Sequence, residues 1–514
     1  MAKIVKQFTK FIFPFQFDKE QIIPRTAQTQ NKKGVFFNVF EQFTQPTESL
    51  REGLELLLSE RGGKSKIGEC YKLSINCRKE FSLPPRKEEL LSFVYRQSGG
   101  DVAKVAITEV KFYFFESQIG FAEVECAYES DDIDEYIALN YFISEVKSDK
   151  NEFIYHEKVW NEETRQSTIE DRKFLMIDLL KQLARKASKK ENAIEFINEN
   201  AKPMVYSYLL VDEKPADMPV LLQYLAKNYK QSYKFEASCV KTQQLHPFEN
   251  SYWTGSLNGA MNLSYLTGDA ITDHFFLDDF YVKAKNTYYF LFLNILHQRY
   301  AINKVMGEMG KLDSLSNDYY VMENQLKEAR RCEAEAINLK FRAFFKCPSF
   351  VEHVNEYYDM LYRAFEVGAM YDNFSTDIAS LQNICSAYVQ RIKAREEKFK
   401  KRKDAKVEIF VSIFGAIVAE VTLFNNSWAV VEKVLGRSIS FWSPGILILL
   451  ATLISPLITI FINVAKKRAE IKELTQQING EMEDKLVEDD KKRKKKGRLV
   501  QKLKKIKKKE KKQG

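Results

Sequence analysis

The spacing of apolar positions changes several times along this chain, and each change marks an element. From 107 to 130, ITEVKFYFFESQIGFAEVECAYES reads as two strands on either side of a turn at Gly120. Behind it, DDIDEYIALNYFISEVK opens on acidic capping residues and predicts a helix. PMVYSYLLV (203–211) and QSYKFEAS (231–238) predict further strands, and the stretches 170–187 and 217–229 have helical spacing. Together these predict a mixed α+β or α/β domain over 1–272.

From about Asp273 the period is helical throughout. DHFFLDDFYVKAKNTYYFLFLNILHQRYAINKVMGEMG predicts one long helix, because its apolar part YFLFLNIL is short of a spanning length and flanked by charge. A second helical block covers 313–346 and ends near Pro348; a third starts near Val351 and breaks at Gly368. Phe374, Ile378, Leu381, Ile384, Cys385, Tyr388, Val389 and Ile392 then recur at three and four, with no Pro or Gly before Gly415. One helix from Phe374 to Phe424 follows, roughly 75 Å long. These long helices and the stalk occupy 273–406.

Two apolar runs close the pattern. Val407–Phe424 would span roughly 27 Å as a helix, and GILILLATLISPLITIFINV (445–464) carries no charge. They predict a transmembrane hairpin over 407–464, helices 407–424 and 445–464 joined by a short outer loop, with 465–514 as a helix and polybasic tail. KAREEKFKKRKDAK before the first run and KKRAEIK after the second place both termini in the cytoplasm and the short loop outside, with the hairpin in the inner (cell) membrane. Trp428 and Trp442 fall where interfacial aromatics belong.

On a helical projection Glu408, Ser412, Gly415, Ala416, Ala419, Glu420 and Leu423 share an arc of about 140°. That face is small and acidic, which suits close helix contact around a polar path. Ser412 and Glu420 are therefore pore candidates, although Glu420, near the outer end, could equally snorkel to water. Two helices enclose no channel, so a pore requires several copies in the lipid bilayer.

Composition adjusts this picture modestly. With 514 residues, 45% hydrophobic and 29% charged, the chain can build more than one core. Its net +9 is concentrated: 491–514 hold 15 Lys or Arg against one Glu, so everything before them sums to −5. That tail could contact anionic lipid or RNA, or simply be solvated. Seven scattered cysteines without a CxxC pair point to reduced thiols, and Lys10 and Pro14 interrupt the N-terminal apolar stretch before it reaches signal-peptide length.

Enzyme signatures fail. RGGKSKIGE lacks the first glycine of a P-loop, Leu58 standing there; the five histidines show no ligand spacing, and no GxSxG occurs. The chain is read as not an enzyme. A small-molecule site is expected instead in 251–276, where Trp253, Ser256, Asn258, Asp273 and His274 could stack on a base or bind a ribose, joined by Arg299 on the following helix. The same groups could equally be loop caps and helix–helix hydrogen bonds.

The long helix with LNILHQRYAINKV, the stalk ASLQNICSAYVQRIKAREEKFKKRKDAK, and the two apolar runs resemble the CorA-type two-helix membrane proteins over 273–470. That resemblance implies a CorA-like homo-oligomer, a pentamer with the first membrane helix lining a channel, and Mg2+ as a candidate ion. Where those transporters carry Gly-Met-Asn, this chain has Phe424-Asn425-Asn426, which adds Asn425 and Asn426 to the pore candidates. The chain is most similar to the CorA-like effectors of type III CRISPR systems. This implies an antiviral pore-forming protein gated by a nucleotide second messenger of the SAM-AMP type; the alternative is a divalent-cation channel.

Overall fold

The computed structural model describes residues 2–435, apart from 31–33, 45, 48, 52–53, 55–57, 59–66, 96–100, 146–150, 162–165, 198–201, 231, 235–242 and 313–318. The strands are β1 (Ile4–Phe17), β2 (Gln28–Gln30), β3 (Phe36–Asn38), β4 (Phe40–Phe43), β5 (Gly68–Leu73), β6 (Leu91–Tyr95), β7 (Asp101–Phe115), β8 (Ile119–Tyr128), β9 (Glu152–Asn161), β10 (Gln166–Phe174), β11 (Ile194–Phe196), β12 (Met204–Val211), β13 (Gln243–Phe248), β14 (Ser251–Ser256) and β15 (Gly259–Tyr265). The helices are α1 (Ile133–Ile143), α2 (Met176–Ala187), α3 (Met218–Lys227), α4 (Ala270–His274), α5 (Phe280–Lys283), α6 (Tyr289–Met309), α7 (Tyr319–Arg342), α8 (Glu352–Ala364) and α9 (Val367–Leu435). The chain divides into two units, Met1–Ser386 and Ala387–Gly514.

Among the described residues thirteen strands join one sheet, in the order β10-β9-β6-β7-β8-β1-β12-β15-β14-β13, with β11 on β1 and β4-β5 on β7. Its pairs are antiparallel except β12 with β15, which run parallel. The alternation of β1 shows how the two faces are built. Phe11, Phe13 and Phe15 enter one core, with α1, α2 and α3, whereas Phe8 and Ile12 enter the other, with α6, α7 and α8. The sheet is thus covered on both sides, which is why β12 (MVYSYLLV) is buried at every position rather than at every second one.

Local chemistry sets the element ends. Asp132 caps α1, its side chain accepting the Asp134 N–H, and Asp134 and Glu135 complement the helix dipole in the first turn. α2 buries Met176, Ile177, Leu179, Leu180, Leu183, Ala184 and Ala187 on one face and ends on Arg185 and Lys186. Asn228 closes α3 in a left-handed conformation, which asparagine tolerates better than most residues. Glycine is required at 259, where an added Cβ would lie 1.9 Å from the Val205 carbonyl oxygen on the parallel neighbour.

Between α4 and α6 the helix passes twice through π-turns, Phe275–Asp279 and Ala284–Tyr288. Such turns displace carbonyls from the regular helical ladder. Two sheet tyrosines satisfy carbonyls there: Tyr208 donates to Phe276 O at 2.8 Å and Tyr206 to Ala284 O at 2.6 Å.

The membrane hairpin is corrected. Among the described residues no helix is long and apolar enough to cross a membrane. The run 407–424 is an interior stretch of α9, which begins at Val367, passes through the charged segment 393–406 and continues through Asn425 and Asn426 to Leu435. The outer loop expected to start at Asn425 is therefore helical through Leu435, since nothing between Asn425 and Leu435 is a Pro or Gly that would stop a helix. The second run, 445–464, lies outside the described residues, as do Trp442 and the basic tail 491–514. The inner-membrane location with both termini cytoplasmic rested on those two crossings and is corrected with them. The architecture is a mixed α/β body with one large sheet, and among the described residues its longest helices, α6, α7 and α9, lie in the C-terminal half.

Candidate functional site

Two cavities open at the end of the sheet where β1 finishes, β5 begins and β7 turns into β8. The larger, about 480 Å3, is lined by Phe17, Lys19, Ile22, Ile23, Pro24, Arg25, Thr26, Gly68, Glu69, Tyr71, Phe114, Phe115 and Glu116. The smaller, about 240 Å3, has Ile67, Ser117, His297, Ala301, Val305, Glu335, Asn338, Leu339, Arg342 and Ala343 in its walls, and shares Lys19 and Glu116 with the first.

The sequence places these walls through periodicity. His297, Ala301 and Val305 are successive i,i+4 positions of α6, and Glu335, Asn338, Leu339 and Arg342 form one stripe of α7. The end of α7 is held there by α6 amides, since Asn294 Nδ2 and Gln298 Nε2 donate to Ala343 O at 3.3 and 2.8 Å. Two short 3-10 turns, Lys19–Gln21 and Pro24–Thr26, bring Lys19 and Arg25 over the opposite wall.

Arg25 and Arg342 on the rim are paired. Arg25 Nε donates to the Tyr71 hydroxyl at 3.0 Å and Arg25 NH2 reaches Glu69 at 3.3 Å, while Tyr71 itself donates to Glu69. Burial, then the bond to Glu69, push the Tyr71 phenol above its usual range. Arg342 on α7 pairs with Glu116 in the β7–β8 turn. Deeper in, the His297 ring stacks on Phe115 at 4.1 Å between centroids, and its Nε2 lies 2.9 Å from Ser117 Oγ. Burial depresses its pKa to about 3, so the ring is neutral under ordinary conditions.

On the sheet face that α6 covers, the face of the smaller cavity, is a buried set of charges. Lys10 Nζ lies 2.8 Å from Glu123 and 3.3 Å from Glu125; Lys111 contacts Glu109 at 2.5 Å and Glu123 at 3.7 Å; Lys285 contacts Glu125 at 2.6 Å. Tyr113 donates to Glu123 at 2.8 Å. Burial pushes both Glu123 and Glu125 upward, but Lys10 and its fellow lysines outweigh it; Glu123 ends below its usual range and Glu125 at about 2. Burial lowers the Lys10 ammonium, against the pull of Glu123.

The residues expected to bind a ligand are dispersed. Trp253 is buried on β14, stacked on Tyr288 at 4.8 Å and tilted against Tyr357 at 4.4 Å. Ser256 and Asn258 are brought together, and both bond the last carbonyls of α3, at Ala226 and Lys227. Asp273 accepts from Thr267 N and Gly268 N and closes the turn before α4. His274 is exposed and pairs with Asp278 at 3.1 Å, and Arg299 donates to the Phe365 carbonyl at the end of α8. None of these six lines either of the two cavities. Of the pore candidates, Ser412 is exposed on α9; Glu420, Asn425 and Asn426 belong to α9 by backbone, and their side chains lie outside the described residues. Among the described residues no group of His, Cys, Asp and Glu could hold a metal ion, so the Mg2+ expectation finds no site there.

No protein-family model matches the chain, and no curated protein does. Among solved structures, that of the full-length CmaX protein is similar over 52% of this chain and 89% of that chain, at 14% identity and a TM-score of 0.17. A likeness at that score carries no argument for fold or function.

Proposed function

We propose that the body Met1–Ser386 is a non-catalytic sensor that binds a small nucleotide-class ligand in the paired cavities. The observation that carries this reading is the juxtaposition itself: cavities of about 480 and 240 Å3 share Lys19 and Glu116 and combine aromatic walls with three cations, Lys19, Arg25 and Arg342. A planar base suits Phe17, Tyr71 and Phe114, and phosphate suits a guanidinium or ammonium. This keeps the sensing half of what the likeness to CRISPR-associated CorA-like effectors implies, a nucleotide messenger of the SAM-AMP type read by the N-terminal body.

Ligand seated between the sheet and α7 would bias the position of α7, and α7 bears on the start of α9, where Gln382 donates to Glu333 at 3.1 Å. A response requires tighter binding to one arrangement than to the other. The test is a thermal-shift screen of the full chain against mono-, di- and cyclic nucleotides and nucleotide conjugates. A concentration-dependent rise in Tm with at least one of them is expected; no shift with any overturns the reading.

A further inference from the structure

We infer that Glu69 in the larger cavity reads an amino group on the base, so that the ligand is an amino-bearing nucleotide rather than its keto counterpart. This deepens the sensor reading and rests on it. Glu69 and Tyr71 are two residues apart on β5 and so share a sheet face. Glu69 stands directly across the ladder from Phe114, whose ring meets Phe17 edge-on at 5.1 Å and Tyr71 at 6.1 Å between centroids. The carboxylate therefore edges the aromatic wall against which a planar base would lie. It lines the cavity and its side chain keeps 37% exposure, so a ligand can reach it.

The carboxylate is held in place from two sides. Tyr71 donates to its Oε2, and Arg25 NH2 lies 3.3 Å from its Oε1. A carboxylate only accepts, through about four lone-pair sites, so a ligand atom that faces it must donate. The N–H of an amino group does so. A keto oxygen in the same place sets acceptor against acceptor and forfeits the bond, which is how a polar site rejects a near-isostere. Arg25 beside Glu69 offsets its negative charge, and this favours a neutral donor over an ammonium group. Glu116, the other carboxylate lining this cavity, is placed differently: it sits in the β7–β8 turn, at the mouth that both cavities share, and pairs with Arg342.

The probes are nucleotide pairs titrated calorimetrically into the full chain. AMP against IMP and CMP against UMP exchange an amino for a keto group, and GMP against IMP removes an amino group alone. The amino member of at least one pair should bind about tenfold or more tightly than its partner, as a hydrogen bond to a charged acceptor allows. In Glu69→Gln, whose amide can donate to a keto oxygen, that ratio should fall to within about threefold or invert, while the keto member binds no worse than to the unmodified chain. In Tyr71→Phe, which keeps the ring and releases one oxygen of Glu69, the ratio should fall by about threefold or more. No preference within any pair, or a preference that Glu69→Gln leaves intact, overturns the assignment. A variant that had merely lost its fold would bind neither member, and melting curves of both variants check this directly. If nucleotides shift the Tm but the members of every pair bind alike, the inference fails alone; if no nucleotide acts, both fail.

Discussion

Lys285 Nζ lies 2.6 Å from Glu125 Oε1, and that contact ties the second π-turn of the helical layer to the central strand β8. Lys285, Tyr289, Leu293 and His297 follow one another at i,i+4, so the same ridge that meets the buried charges ends in the wall of the smaller cavity. Removing Lys285 leaves Glu125 with Lys10 and the Thr108 hydroxyl. Lys285→Met should cost about 3 kcal/mol, the lower end for losing one partner of a buried pair, because its side chain keeps 26% exposure. Urea unfolding measures it; a loss under about 1 kcal/mol would show that the contact is not structural.

Acid should unfold the protein through the same cluster. Glu125, held at about 2 against 4.5 for an unperturbed glutamate, and Glu123, also lowered, bind protons more readily unfolded than folded. Their contribution is complete above about pH 5 and disappears as pH falls toward 2, about 3 kcal/mol from Glu125 alone. Urea midpoints between pH 7 and 3 should fall steeply below 5, and Glu125→Gln should flatten that fall. A midpoint unchanged down to pH 3 contradicts the assignment.

The tyrosine bonds to the π-turns are separable from aromatic packing. Tyr208→Phe keeps the ring against Phe8 and leaves Phe276 O without its donor. A loss of about 1–3 kcal/mol is expected, with faster amide exchange confined to 275–288. Uniform exchange changes across the sheet would instead indicate general loosening.

Two glycines predict opposite signs. Gly259→Ala drives a methyl into the Val205 carbonyl and should destabilise by about 3 kcal/mol or more. Gly307→Ala in α6 meets nothing within 4 Å and should stabilise by about 0.5–1 kcal/mol through helix propensity. Thermal melts of the pair decide it; equal shifts would contradict a close β12–β15 approach at Gly259.

At the rim, Arg25→Ala and Arg342→Ala remove exposed pairs with Glu69 and Glu116, worth no more than about 1 kcal/mol each to folding. Each should weaken binding of the nucleotide that shifts Tm most by about tenfold. Unchanged affinity in both variants would move the phosphate elsewhere.

The strands and helices that could be read from local pattern are those whose ends carry their own chemistry. Asp132 capping α1, the apolar β12, the face of α2 and the helical period from Phe374 onward are visible in sequence because each is fixed within a few residues. β1 was hidden: Lys10 and Pro14 look like interruptions, yet Lys10 is neutralised by Glu123 and Glu125 across the sheet, and Pro14 tops a strand whose neighbours come from far along the chain. The stretch 251–276 read as a loop because Gly255, Asn258 and Gly259 punctuate it; in the fold they serve the β14–β15 hairpin and the end of α3. The expected turn at Gly120 falls at 116–118 instead, because Gly120 is needed inside β8 where the Phe15 ring leaves no room for a side chain. The cavities were illegible for a different reason. Lys19, Arg25, Tyr71, Glu116, His297 and Arg342 are brought together only by the folded sheet and helix pair, and no local spacing links them.

Hydrogen–deuterium exchange of the full chain, with and without the nucleotide that raises Tm most, tests the central claim most directly. The account predicts slowed exchange in 19–26, 68–71, 114–117, 297–305 and 335–343, the segments that build the two cavities. Protection that leaves these five segments unchanged and appears around Trp253 and Asp273 would contradict it.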